Sequence, residues 1–280
     1  MAKKEKKHPN EMSFLDHLEV LRWHLIRSTI AIVSIAIVAF VFKEFLFDVI
    51  IFGPSYPDFV SYDILCKVSQ LFGLEKGCIT EGDMEFVLQS RKVSGQFSVA
   101  IWTSITAGFV LGFPYLLYEF WKFISPGLYT NERQSSKGFI LIASLLFFIG
   151  VLFGYFVIVP LSINFLSNFS ISKTVENQFD IESFISIVRS SVLAGGIIFE
   201  LPIIIFFLSK IGLVTPALMR KNRKFALVIV LIVSAVITPP DIATQVIVSV
   251  PILILYEVSI YISRIVEKRE DRKAKKSGLA

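Results

Sequence analysis

The chain has 280 residues, 54% of them hydrophobic, with a mean hydropathy of +0.68 and a formal net charge of +5. Only 18% of the residues are charged, and they come in clusters. These values exclude an ordinary soluble domain, argue against nucleic acid as the partner of the basic surface, and indicate a polytopic membrane protein.

Residues 1–12 are polar, lack the apolar run of a cleavable signal peptide and read as a disordered cytoplasmic tail. Ser13 is placed as a helix N-cap, with Asp16 three residues on in capping-box spacing. Phe14, Leu18, Leu21 and Leu25 then recur at helical spacing, with Asp16, His17, Glu19 and Arg22 around the remainder. This amphipathic stretch runs into the first spanning helix; it either anchors that helix at the interface or presents polar groups to a partner. Six apolar segments follow, at about 25–42, 97–117, 139–165, 185–208, 225–238 and 246–262. Lys and Arg concentrate in 1–27, 118–138, 209–224 and 263–280, which hold 21 of the 28, so both termini are expected in the cytoplasm.

The first external loop, 48–92, has turn signals at Gly53-Pro54 and Tyr56-Pro57 and an amphipathic piece at 64–72, read as a cap over the helix ends. Both cysteines, Cys66 and Cys78, fall in this loop. They are either bridged, as the oxidising side of the membrane favours, or free thiols, and their spacing fits neither a redox motif nor a zinc site. The last two segments are short: about 21 Å and about 25 Å of helix against a hydrocarbon core of about 30 Å. Between them, Thr238-Pro239-Pro240-Asp241 cannot be helical through both prolines.

Glu200 lies in VLAGGIIFELPIIIFFL (192–208), otherwise free of charge. A carboxylate at the centre of a bilayer costs about 3 kcal/mol even on lenient scales, so such a residue marks either a hydrogen-bonded helix contact or a docking point within the membrane. Pro202 removes a backbone donor from the same helix. The motifs of zinc hydrolases, serine hydrolases, P-loops and dinucleotide turns do not occur, and no metal or cofactor is expected. His8, His17 and His24 are the only histidines, and an interfacial structural role suits them better than metal binding.

HLEVLR at 17–22, LYEFWKFISPGLYTNER at 117–133, GYFVIVPLSINFL at 154–166, FELP at 199–202 and TPPDIATQ at 238–245 together resemble the TatC subunit of the twin-arginine protein translocase. The resemblance runs from Phe14 almost to Glu267. It implies a cofactor-free, six-span receptor of the bacterial cytoplasmic (inner) membrane that binds signal peptides of folded export substrates. Glu132 matches the acidic residue that recognises the arginine pair, which fits the bidentate match of guanidinium and carboxylate. Phe123, Pro126 and Arg133 belong to the same patch, with Glu19 and Arg22 from the N-terminal motif. Pro54 matches a proline of the first external loop, Glu200 the buried acid of the concave membrane face, and Asp241 and Gln245 polar positions tied to contact with smaller Tat subunits. The family's HLxELRxR is altered: Val20 stands where its Glu belongs and His24 at its second Arg. Either Glu19 serves the same site or Glu132 carries the arginine contact more alone.

The reading is an all-α, six-span membrane domain over 13–267, both termini cytoplasmic, followed by a basic cytoplasmic tail at 268–280. The expected function is twin-arginine signal-peptide recognition in a translocase driven by the proton gradient, with no enzyme activity. The expected partners are signal peptides of folded precursors, single-span TatA/TatB-type subunits, further copies of the chain and the lipid bilayer, but not nucleic acid. The alternatives are a proton- or ion-coupled small-solute transporter using Glu200 and a membrane-embedded hydrolase.

Overall fold

The computed structural model describes residues 14–71, 86–124, 136–172, 174 and 177–276. The chain divides into two compact units, one of residues 1–43 and 100–145, the other of 44–99 and 146–280. Nearly all of the described chain is helical. Among the described residues five helices are long and apolar enough to cross a membrane: Leu18–Val41, Gly95–Phe123, Gly138–Asn168, Ile181–Lys210 and Ile242–Arg272.

In the first unit, α1 (Phe14–Val41) packs against the 100–124 part of α3 (Gly95–Ile124). The two backbones nearly touch at Gly108, where an added Cβ would sit 2.6 Å from the Ile32 carbonyl oxygen and 2.9 Å from the Ala36 Cβ. Small residues let helices meet this closely in lipid, where there is no hydrophobic drive to bring them together. Helix α4 (Ser136–Phe153) begins in this unit, with Phe139 stacked on Trp121 of α3 at 4.6 Å between ring centroids.

The second unit opens with a π-helical turn (Phe45–Ile51) and a 3-10 turn (Gly53–Ser55), then α2 (Val60–Leu71), at the place expected for the amphipathic cap. Beyond Phe153, α4 passes through a π-helical turn (Gly154–Ile158) into α5 (Val159–Asn168). The wider turn suits Pro160, which lacks an N–H and crowds the carbonyl four residues back. Helix α6 (Ile181–Phe199) breaks at Glu200 and resumes as α7 (Leu201–Lys210), with Pro202 in its first turn. Gly212, at φ 78°, ends α7 in the left-handed conformation that glycine adopts at no steric cost. The short α8 (Pro216–Lys221), α9 (Arg223–Ile237) and α10 (Ile242–Lys276) complete the chain.

Two expectations need correction. The chain is not purely helical: β1 (Val87–Gln89) pairs in parallel with β2 (Gln178–Asp180), Val87 opposite Gln178, with an amide bond from Gln89 to Gln178 of 3.0 Å. Three-residue strands in polar loops carry too little alternation to be read from sequence. The last span is not short, because α10 has 35 residues. Its apolar window ends near Ile262, but VEKREDRKAKK at 266–276 consists mostly of good helix formers, so the helix continues to Lys276. By contrast α9, with 15 residues and about 22 Å, is as short as expected and falls below the length of the five spans. The expected N-cap Ser13 and the tail 1–12 lie outside the described residues.

The core of the second unit rests on a backbone contact between α4 and α6. A Cβ on Gly150 would lie 2.3 Å from the Gly195 carbonyl oxygen, and one on Gly154 2.4 Å from that of Ser191. Gly195→Ala should therefore force the helices apart and cost about 1–3 kcal/mol, as overpacking does. The check is thermal unfolding in detergent, with Gly138→Ala as the control, since a Cβ there meets nothing within 4 Å.

Candidate functional site

The first polar cluster joins α1 to the C-terminal part of α3. Glu119 is 2% exposed, and its Oε2 lies 2.6 Å from Nδ1 of His24. Its Oε1 lies 3.5 Å from the Lys122 ammonium, one turn along the same helix. A carboxylate this buried is stable only with partners, and here two helices supply them. The His24 ring meets Phe123 edge-on at 6.2 Å, and Lys122 lies 4.1 Å over the Tyr118 ring. The structure thus joins Phe123 to the N-terminal motif through His24. Glu19 and Arg22 lie on exposed parts of α1, and Val20 is half-buried. Pro126, Glu132 and Arg133 lie outside the described residues. Glu119 was not foreseen. Its signal was a weaker form of the one that singled out Glu200: a carboxylate among mostly apolar residues near the end of a long apolar segment.

The second site is the bend in the fourth span. Glu200 has helical φ but a ψ of −5°, and its carbonyl accepts from both Ile203 and Ile204. Its side chain is buried, and Oε1 has no hydrogen-bond partner among the described residues. The expectation of a polar group inside the membrane domain thus meets a buried carboxylate with a shielded oxygen that no described residue satisfies.

The loop after the first span is held by two tyrosines. The Tyr62 hydroxyl donates to the Pro54 carbonyl at 2.6 Å, and that of Tyr155 to the Ile50 carbonyl at 2.6 Å. Burial holds the Tyr62 hydroxyl well above the usual phenol range, so it remains a donor. Pro54 is itself buried. Cys66 is disulfide-bonded; Cys78, the one other cysteine of the sequence, lies outside the described residues.

Asp241 begins α10. Its carboxylate accepts from the Thr244 N–H at 2.8 Å, the Thr244 hydroxyl at 2.7 Å and the Ala243 N–H at 3.3 Å. Partial burial pushes this carboxyl up, but those donors outweigh it and hold it below the usual carboxylate range. Gln245 donates from Nε2 to the Leu231 carbonyl at 3.0 Å, tying α10 to α9.

The sequence profile of the family described as Sec-independent protein translocase protein (TatC) matches residues 16–251. The chain belongs to the TatC family. It is 42% identical over 265 residues to the Sec-independent protein translocase protein TatC of Blattabacterium sp. subsp. Periplaneta americana, covering 95% of this chain and all of that one. TatC of Aquifex aeolicus is 33% identical, over 94% of this chain and all of that one. A crystal structure of the twin arginine translocase receptor TatC in DDM superposes with a TM-score of 0.67 at 32% identity, covering 88% of this chain and 99% of that one. The family match extends over both polar sites and both loops described above. The protein is accordingly a multi-pass membrane component of a protein translocase, and the transporter and hydrolase readings give way to that one.

Within this TatC chain the His24–Glu119 pair stands where the family motif has its second arginine. His24→Ala should destabilise the protein by about 2 kcal/mol, by leaving a charged hydrogen bond of Glu119 unmade. His24→Arg should be tolerated, because a guanidinium can pair with the same carboxylate. Thermal unfolding of the two variants in detergent checks the difference.

Proposed function

We propose that this TatC protein is the receptor that binds twin-arginine signal peptides, with Glu132 as the arginine reader. Glu19, Arg22, Phe123, Pro126 and Arg133 complete the patch. The observation that supports it is the His24–Glu119 pair, which joins the α1 motif to the end of α3 just before the SPGLYTNER segment that contains Glu132. Peptide arginines would meet carboxylates there in a fork geometry that lysine does not reproduce. The proposal includes six spans with both termini in the cytoplasm, the short α9 being the fifth in chain order, and export of folded proteins powered by the proton gradient. Glu200, Pro54, Asp241 and Gln245 are assigned to contacts with single-span TatA/TatB-type subunits, and further copies of the chain to the receptor complex. The partly unpartnered Glu200 carboxylate supports a polar contact from outside the chain. The cap role of Asp241 means that part of its effect on assembly acts through the hairpin itself. A Cys66–Cys78 bridge is also part of the proposal.

A charge-assisted bond is worth about 1.5–3 kcal/mol, so Glu132→Ala should weaken binding of an RR peptide roughly 10- to 150-fold. Binding of the KK version, already weak, should change far less. Fluorescence titration of both peptides onto the purified protein measures the ratio, and an unchanged RR/KK ratio would falsify the role of Glu132. Glu19→Ala in the same assay tells whether Glu19 replaces the acid missing at Val20: a comparable loss assigns it that role, and no loss leaves Glu132 as the main acid.

The topology has its own test. Single cysteines at positions 5 and 275, in a background lacking Cys66 and Cys78, should resist an impermeant thiol reagent in intact cells. Labelling of either from outside rejects the orientation.

A further inference from the structure

Arg189 is a cation within a membrane span, placed eight residues into α6 and about 12 Å along its axis from Ile181. Nothing in the proposed signal-peptide reading uses it. The end of α6 from which it is measured is a polar rim. There the Asp180 side chain caps the helix through the Glu182 N–H, Lys92 bonds Glu182 at 2.6 Å, and Gln89 bonds Gln178. The span of 30 residues is about 45 Å long, close to a whole bilayer with its headgroup layers. Arg189 therefore lies about 4–5 Å inside the hydrocarbon boundary, within reach of the phosphate layer for an extended arginine side chain.

No carboxylate among the described residues reaches it directly. Ile185 and Val188 beside it are buried in the core, whereas Ser186 and Ser190 are exposed, so the arginine stands at the border between protein and lipid. The side chain is half-buried, and its Nε is shielded without a hydrogen-bond partner. The nearest acid that acts on it, Glu182 two turns back, is engaged by Lys92 at 2.6 Å and attracts the arginine only through space. A charge held just inside the hydrocarbon without a protein partner is costly unless an anion comes to it. A planar guanidinium pairs bidentately with phosphate, and a lipid phosphate is the anion present at this depth.

We propose that Arg189 binds the phosphate of an anionic phospholipid, in the leaflet that meets the N-terminal end of α6, between that helix and the surrounding bilayer. An anionic headgroup is favoured over a zwitterionic one because it brings no ammonium to compete with the arginine. The site makes a bound lipid part of the protein's surface. It stands independently of how signal peptides are read.

The test uses the full chain in nanodiscs of phosphatidylcholine doped with phosphatidylglycerol, transferred to detergent for native mass spectrometry. The unmodified protein should retain phosphatidylglycerol in preference to phosphatidylcholine, as should Arg91→Gln, a change at an exposed loop arginine. Arg189→Gln should lose that preference about tenfold, and Arg189→Lys should keep part of it, as a point charge without the fork. In phosphatidylcholine alone Arg189→Gln should unfold no lower than the unmodified protein, since it removes a costly charge, and phosphatidylglycerol should raise only the unmodified protein. Equal retention by the two proteins, or an equal rise in unfolding temperature, overturns the proposal. So does an Arg189→Gln protein that keeps its lipids but loses a co-purifying single-span subunit, since the arginine would then serve an acidic helix.

Discussion

Helices in a bilayer gain nothing from burying apolar side chains against each other, because lipid tails are equally apolar. What holds the second unit together is instead the approach of bare backbones, Gly150 and Gly154 against Ser191 and Gly195. Dispersion attraction falls steeply with separation, so a contact at this range is worth much more than one spaced by two side chains. The rest of the unit depends on it. With α4 and α6 pressed together, Phe147 fills the space over Gly196, and Val159, Ile163, Phe184 and Val188 form one core. The same packing sets Tyr155 against the loop bearing Pro54 and brings the strand ahead of α6 into register with β1.

Against that apolar background the polar groups divide by whether the chain satisfies them. Glu119 has partners for both oxygens, from His24 and Lys122, and works as a fastening between α1 and α3. Asp241 is likewise occupied with its own helix start. Glu200 and Arg189 each retain a shielded polar atom with no partner among the described residues. Fully satisfied groups explain architecture, whereas the unsatisfied ones direct attention to what lies outside the chain: a subunit for Glu200, a lipid for Arg189.

Much of the fold was legible in the sequence, because long apolar runs and clustered basic residues report directly on membrane spans. Segment centres, the short fifth segment and the amphipathic piece at 64–72 followed from composition, whereas the break at Glu200 falls inside what read as one continuous segment at 185–208. The end of α10 did not, because the apolar window measures the bilayer while the helix is propagated by Glu, Lys, Arg and Ala well past it. The β1–β2 ladder was too short to show a period. For the site, the resemblance identified a patch around 17–22 and 117–133, but the motif departure at Val20 and His24 read only as a loss. Its physical meaning needs Glu119, 95 positions away from His24, and no local pattern links two such residues.

The π-helical turn at Gly154–Ile158 adds one residue to the winding of its helix. Each residue of an α-helix turns the chain by about 100°, so everything beyond the turn is rotated by roughly that angle relative to an uninterrupted helix. Consecutive side chains thereby serve separate cores: Ile158 packs with Val230, Val248 and Ile252, and Val159 with Ile51, Tyr62 and Phe184. The turn acts as a phase shifter midway through the span. Removing a single residue there would restore regular winding and swing Val159 and Ile163 out of their core, although the chain would keep its composition, its hydropathy and nearly its full length.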